Sequence, residues 1–215
     1  MALERRRLLE ILRRTSYLES DAPIFHLASG IGSKYYVDCK KGLSDPEARD
    51  CLATLIVEML GHVPMDAVGG LELGAYPIAT SVSDKIYRDA GKKIRVFVVR
   101  KARKRHGITS LIAGDTKPGD RVLIVDDVIT SGSSAIQAIE TVREAGLKVD
   151  HVVAMVDREE SNGRKNIEAM GVRFHALFTL SDLRNFDEPS DKGKSAKSDQ
   201  KRTLRSQSSR VAAAS

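Results

Sequence analysis

The sequence predicts an α/β domain, a parallel sheet with helices on both faces. From Gly61 onward, short apolar runs of strand length alternate with segments whose apolar residues recur at helical spacing. Glycine and proline mark the turns between them, as at Lys117-Pro118-Gly119-Asp120, Gly146 and Gly171. A chain of 215 residues suits one such domain, and a hydrophobic content of 41% is ordinary for a globular protein.

In chain order, Leu8, Leu9, Ile11 and Leu12 predict a first helix over residues 4–14. A Gly- and Ser-containing stretch follows, in which Tyr35-Tyr36-Val37 reads as a short strand. Asp45 then Pro46 is an N-cap followed by a first-turn proline. Cys51, Leu52, Leu55, Ile56, Met59 and Leu60 carry that helix to Gly61. Residues 66–68 read as a strand ending in Gly69-Gly70, 75–89 as a helix and 95–99 as a strand. Beyond them come a strand at 121–125, a helix at 133–145, a strand at 151–156, a helix at 164–170 and a last strand at 172–178. Residues 100–116, RKARKRHGITSLIAGDT, fit neither a strand nor an apolar-faced helix. A long polar connection inside a compact domain is usually functional or mobile.

Charge divides the chain. From Pro189 onward there are seven Lys/Arg and two Asp, a net of +5, which leaves residues 1–188 at +1 out of the total of +6. The tail at 189–215 is rich in Ser and Lys and short of large apolar residues, so it is expected to be disordered. The near-neutral body argues against specific nucleic-acid binding. No apolar run approaches membrane-spanning length, and Cys39 and Cys51 make no disulfide framework, so the cytoplasm is the expected compartment and no membrane partner is expected.

The most informative segment is VLIVDDVITSGSSA at 122–135. A buried strand delivers Asp126 and Asp127 to its carboxyl end, where ligands bind in open α/β sheets. Val128 and Ile129 continue into Thr130, Ser131, Gly132, Ser133 and Ser134, a tight hydroxyl-rich turn that opens a helix. Consecutive backbone N–H groups at a helix N-terminus make an anion site of phosphate size. Two carboxylates beside it suit the hydroxyls of a phosphorylated sugar. A Walker loop is excluded, because no Lys follows the glycine turn.

These residues resemble the signature of the type I phosphoribosyltransferases, and within them the chain resembles the orotate phosphoribosyltransferase family over roughly residues 20–185. The likeness is carried further by Phe25 to Gly30, Ser33 to Asp38, Gly69 to Ala75, Arg100-Lys101 with Lys104 and His106-Gly107, and Asp157 to Glu160. It implies a domain over 1–188 with a small N-terminal hood, mainly 1–44. Arg100, Lys101, Lys104 and His106 are expected to contact pyrophosphate from a mobile loop, with Lys104 the largest catalytic contributor. Thr130, Arg158 and Tyr36 are expected at the base: Arg158 as a bidentate partner for the orotate carboxylate, Tyr36 as a stacking ring. The implied reaction joins orotate and 5-phosphoribosyl 1-pyrophosphate. The resemblance also implies Mg²⁺ held mainly by substrate rather than by dedicated protein ligands, and a homodimer with shared active sites. Ala28 and Ile31 depart from the family pattern, in which many members carry Lys or Thr and Arg. Two alternatives therefore stay open: a phosphoribosyltransferase for another nucleobase, and a regulator of the same fold that binds RNA or DNA and senses the donor.

Overall fold

The structure is a computed structural model and describes residues 2–26, 32–102 and 110–186. The expectations for Ala28, Ile31, Lys104, His106 and the 189–215 tail lie outside the described residues.

The chain opens with helix α1 (Ala2–Thr15), then strands β1 (Tyr17–Glu19), β2 (Phe25–His26), β3 (Gly32–Ser33) and β4 (Tyr35–Val37), and the short helix α2 (Cys39–Gly42). β1 pairs antiparallel with β4, and β2 with β3. These two small ribbons and α2 lie within residues 1–44, the segment expected as the hood, and of the four strands only β4 was legible in the sequence. Strands of two or three residues are too short to display a period.

The body follows as α3 (Pro46–Leu60), β5 (Ala67–Leu71), α4 (Ala75–Ala90), β6 (Arg95–Val99), β7 (Ile112–Gly114), β8 (Arg121–Ile129), α5 (Ser133–Glu144), β9 (Lys148–Asp157), α6 (Gly163–Glu168), β10 (Arg173–Thr179) and α7 (Leu180–Arg184). The sheet order is β10-β9-β8-β5-β6-β7, parallel throughout except for β7 at the edge. β7 lies inside the stretch expected to hold no strand. It pairs Ile112 with Val99 and Gly114 with Phe97, so a free sheet edge, not its own composition, recruits it.

Each face of the sheet has its own core. α1, α3, α4 and α7 pack Leu8, Leu12, Leu52, Ile56, Ile78, Val82 and Leu183 on one side. α5 and α6 pack Ala138, Ile139, Val142 and Ile167 on the other. The central strands are buried on both faces, which explains their continuous apolar runs.

Two boundaries correct the sequence reading and bear on the site. Gly69 and Gly70 lie within β5 rather than in a loop after it. A Cβ on Gly69 would run into the Phe97 carbonyl oxygen, and one on Gly70 into the Val125 carbonyl oxygen. These glycines serve the close approach of β6 and β8. β8 also runs on past Val125 to Ile129, because the longer β9 continues to pair with it: Asp126 with Ala154, Val128 with Val156 and Ile129 with Asp157. The acid pair is thus held in the sheet itself.

Candidate active site

The carboxyl end of β8 carries two adjacent acids in unequal surroundings. Asp126 is 6% exposed and Asp127 7%. Asp126 Oδ1 accepts the Asp127 N–H at 2.9 Å, while Asp126 Oδ2 is a buried oxygen without a hydrogen-bond partner. Burial, and then the charge of Asp127, push the Asp126 carboxyl well above the usual carboxylate range. Asp127 Oδ1 accepts the Val128 N–H at 3.1 Å, and Oδ2 accepts from Lys40 Nζ at 3.1 Å. Burial works to lower the Lys40 ammonium, but the Asp127 carboxylate outweighs it and leaves that pKa raised. The far wall is Gly74: a Cβ there would stand 2.5 Å from Asp127 Cγ.

The turn after the acids has the geometry that can receive an anion. Gly132 has φ +82 and ψ 3, the left-handed conformation that glycine adopts without penalty, and it caps α5 with no side-chain bond to the first turn. The amides opening α5 are therefore left for a ligand. Asn166 Nδ2 donates to the Ser131 carbonyl at 2.9 Å, so α6 holds the turn from below. Ser131 and Ser133 place their hydroxyls 3.3 Å apart on the same rim. Ser134 stands in the first turn of α5, and Thr130 leads into the cradle. Val128 and Ile129 play a different part from the residues around them. Ile129 is buried in the core, its carbonyl accepts the Arg158 N–H at 2.9 Å, and the Val128 N–H is held by Asp127. They brace the rim rather than offer side chains to it.

The same Arg158–Ile129 bond sets Arg158 beside Thr130, at the end of the neighbouring strand, as expected. The Arg158 side chain is only 3% exposed. Nε donates to Glu160 Oε2 at 3.0 Å, and Nη2 donates to the Tyr35 carbonyl at 3.1 Å and to Ser33 Oγ at 3.3 Å. The guanidinium thus ties Ser33 and Tyr35 to the end of β9, and Glu160 faces it side-on. Tyr36 is 37% exposed and its ring stacks on Phe25, with centroids 5.5 Å apart. Arg100 anchors the start of the polar connection: its N–H donates to Leu111 O at 2.8 Å and its Nη1 to Ser110 O at 3.2 Å. The Lys101 N–H donates to Glu72 Oε1 at 2.8 Å, so the connection leaves the sheet beside the Glu72–Gly74 segment.

Lys40 and Glu160 are members of this site that sequence reasoning passed over. Glu160 stood inside the quoted Asp157–Glu160 segment without a role. Gly74 stood inside the quoted Gly69–Ala75 segment, and the space left by its missing Cβ is taken by Asp127. Lys40 lies 87 residues from its partner and gave no signal.

The donor set can be tested against a divalent cation. Among the described residues no group of three or more His, Cys, Asp or Glu could hold a metal ion. The acid pair, with its orphaned buried oxygen, fits a cation that arrives carrying most of its ligands on a polyphosphate, with the carboxylates reached through water. No helix among the described residues is long and apolar enough to cross a membrane.

Comparison with known proteins agrees with this geometry. The phosphoribosyl transferase domain model matches residues 52–180. The orotate phosphoribosyltransferase of Aquifex aeolicus is 43% identical over 183 residues, which is 85% of this chain and 99% of that protein. That of Methanosarcina mazei is 42% identical over 159 residues, 74% of this chain and 81% of that protein. The crystal structure of Mycobacterium tuberculosis orotate phosphoribosyltransferase in complex with Fe(III) dicitrate superposes with a TM-score of 0.71 at 36% identity, covering 84% of this chain and 98% of that one. The same enzyme in complex with 5-phospho-alpha-D-ribosyl 1-diphosphate gives 0.68 at 34% identity, covering 84% and 99%. An adenine phosphoribosyltransferase from Leishmania tarentolae, at 14% identity and a TM-score of 0.58, shares the fold alone. With most of its length matched at this level, the chain belongs to the orotate phosphoribosyltransferase family.

Proposed function

We propose that the chain moves the 5-phosphoribosyl group of 5-phosphoribosyl 1-pyrophosphate to orotate, giving orotidine 5′-phosphate and pyrophosphate in the cytoplasmic synthesis of pyrimidine nucleotides. The observation that carries this is the acid pair held in β8 directly ahead of the uncapped N-terminus of α5, with Arg158 alongside.

The amides and hydroxyls of Thr130 to Ser134 take the 5′-phosphate. Asp126 and Asp127 accept the ribose hydroxyls, and the two acids supply the catalytic carboxylates. A bond forms between the base nitrogen and the anomeric carbon while the bond to pyrophosphate breaks, and the proton of the base nitrogen passes to the leaving pyrophosphate or to water. Positive charge builds on the sugar and negative charge on the leaving group. Fixed dipoles and cations aimed at those charges lower the barrier, and no covalent nucleophile is required. Arg100 and Lys101 stand where the connection leaves the sheet, and Lys104 and His106 complete the cationic set over pyrophosphate. Asp126 and Asp127 are the residues that would hold Mg²⁺, through water, and the ion would supply neutralisation of the donor's charge.

Arg158 takes the orotate carboxylate in a charge-assisted pair by displacing Glu160 from its side-on position, and Tyr36 stacks on the base after leaving Phe25. The working unit is a homodimer in which the polar connection of one subunit closes over its partner's site.

The deciding experiment is a pyrophosphate-release assay with Mg²⁺, the donor and each nucleobase in turn. Orotate-dependent release is expected, with release from uracil, adenine, guanine and hypoxanthine at background. Release with another base and none with orotate would overturn the assignment.

A further inference from the structure

Lys40 reaches the acid pair from outside the sheet, and its backbone is fixed on both sides. Before it, Asp38 caps α2 and accepts the Lys40 N–H at 3.3 Å. Cys39 is completely buried in the core. Beyond it, Gly42 donates its N–H to Ser16 Oγ at 3.0 Å, and a Cβ on Gly42 would stand 2.8 Å from Leu12 Cδ2. The lysine stem therefore leaves an anchored backbone. Its ammonium sits 3.1 Å from Asp127 Oδ2 and 3.9 Å from Asp38 Oδ1. The lysine side chain is 56% exposed, whereas that of Asp127 is 11% exposed. An exposed lysine that spends its charge on a buried acid orients the acid more than it adds to stability.

The carboxylate of Asp127 is thereby held at both oxygens. The Val128 N–H holds Oδ1 and Lys40 holds Oδ2, and the carboxylate fills the space that a Cβ on Gly74 would take. A carboxylate has about four lone-pair directions, so two bonds leave acceptor capacity on a group whose direction is set. The charged neighbours are Asp126 and Asp127 on β8 and Asp38 ahead of α2, with the Cys39 thiol between them. Lys40 is the cation that the described bonds and ion pairs bring to this cluster of acids.

We propose that Lys40 is a positioning residue for the donor sugar: reaching across from the hood, it fixes the Asp127 carboxylate in the direction that accepts the ribose hydroxyls. The proposal rests on the phosphoribosyl transfer argued above. It sets Lys40 apart from the cations that meet pyrophosphate, since its effect falls on donor binding through Asp127. The opposite arrangement, a lysine that blocks the ribose position and must be driven off, predicts the opposite sign.

The test compares the wild type with Lys40→Met, Lys40→Arg and the adjacent exposed Lys41→Met. Calorimetric titration with the donor and Mg²⁺ needs no base, and steady-state assays then separate the two Michaelis constants. In Lys40→Met the donor Kd and donor KM are expected to rise roughly tenfold, the scale of one charge-assisted bond. The orotate KM should stay within about twofold, because Arg158 does not touch Lys40. Lys40→Arg should recover most of the donor affinity, and Lys41→Met should match wild type. Tighter or unchanged donor binding in Lys40→Met, an equal rise in the orotate KM, or no recovery in Lys40→Arg overturns the proposal. A wild type that binds donor but leaves orotate unused rejects the orotate assignment, and Lys40 is then decided by the same titrations.

Discussion

Gly74→Ala should be damaging for a reason that lies wholly in Asp127. Gly74 has φ −62 and ψ −35, an ordinary right-handed conformation that alanine adopts freely. On backbone grounds alone, glycine to alanine at such a position stabilises by ~0.4–1 kcal/mol through the unfolded chain. Here the new Cβ would press on Asp127 Oδ1 and stand 2.5 Å from Cγ and 2.9 Å from Oδ2. If the carboxylate turns away, it gives up the Val128 N–H, a bond to a charged group that contributes ~1.5–3 kcal/mol. It also gives up the Lys40 pair, which exposure discounts to ~1 kcal/mol or less. If it stays, the chain entering α4 must shift or the side chain must leave its rotamer, at ~0.5–1.5 kcal/mol or more. Against the favourable backbone term, the net loss should be ~2–3 kcal/mol of stability, with donor kcat/KM lower by roughly a hundredfold. The assay is a double-mutant cycle: urea unfolding of wild type, Gly74→Ala, Asp127→Ala and the pair, all at one protein concentration. In the Asp127→Ala background the clash is gone, so Gly74→Ala should turn neutral or mildly stabilising, a coupling of ~2–3 kcal/mol. Additive losses would refute the reasoning, because they would place the cost in the backbone or in another neighbour.

Other outcomes follow from the same contacts. Arg158→Ala should raise the orotate KM far more than the donor KM, by the equivalent of ~1.5–3 kcal/mol; it should also lower the melting temperature, since Glu160 and the Tyr35 carbonyl lose their donor. An unchanged orotate KM removes Arg158 from the base site. Lys104→Ala and Asp127→Asn homodimers should each be nearly inactive, yet recover about a quarter of wild-type activity when their subunits are exchanged, because half the dimers are then hybrids with one good site; no recovery after exchange verified by mass tagging places the loop in its own subunit's site. Ser161 and Asn162 hold left-handed φ values of +52 and +56. Ser161→Gly should therefore raise stability by ~0.5–1 kcal/mol and Asn162→Gly by less, since asparagine tolerates that conformation better, and a fall in urea midpoint for Ser161→Gly would contradict this. The His151 and His175 rings share a 3.0 Å nitrogen contact, and burial holds both below the ordinary imidazole value of 6.5, aided by Arg173 at His151 and by His151 at His175. The unfolded chain takes up protons first, so stability should fall as pH drops below about 6.5, and less steeply in a His151→Gln, His175→Gln double variant.

What the sequence revealed and what it hid have separate physical causes. The β-α-β order from residue 61 was legible because β8 and β9 are buried on both faces and α4 and α5 on one, so their composition answers to solvent. The tight turn into α5 was legible because its signal is local: Gly132 takes a positive φ, and hydroxyl residues flank it. The course of β8 through Asp126 and Asp127 was not, because those acids argue for a loop, and only the length of β9 decides otherwise. Gly69 and Gly70 read as the end of a strand, yet they lie within it, and the atoms they must avoid belong to β6 and β8. Of the two N-terminal ribbons only β4 was read, the other strands escaping notice for want of length, and Lys40 because its partner is remote in sequence.

One stretch of the hood sets both halves of the site, and this bears on how base and sugar recognition are joined. Ser33 and the Tyr35 carbonyl hold the guanidinium of Arg158, while Lys40, a few residues on, holds Asp127. β4 lies between them, pairs with β1, and buries Val37 in the core that α1 and α3 share. The sheet supplies the charges at the ends of β8 and β9, and the hood supplies their directions. A displacement of β4 therefore cannot loosen Arg158 without also loosening the support of Asp127. The acid pair and the arginine arise on neighbouring parallel strands, whose pairing of Ile129 with Asp157 fixes their spacing. The N-terminal segment is bonded to both. Binding at either end should then stiffen the other through a short run of backbone, without any change in the sheet.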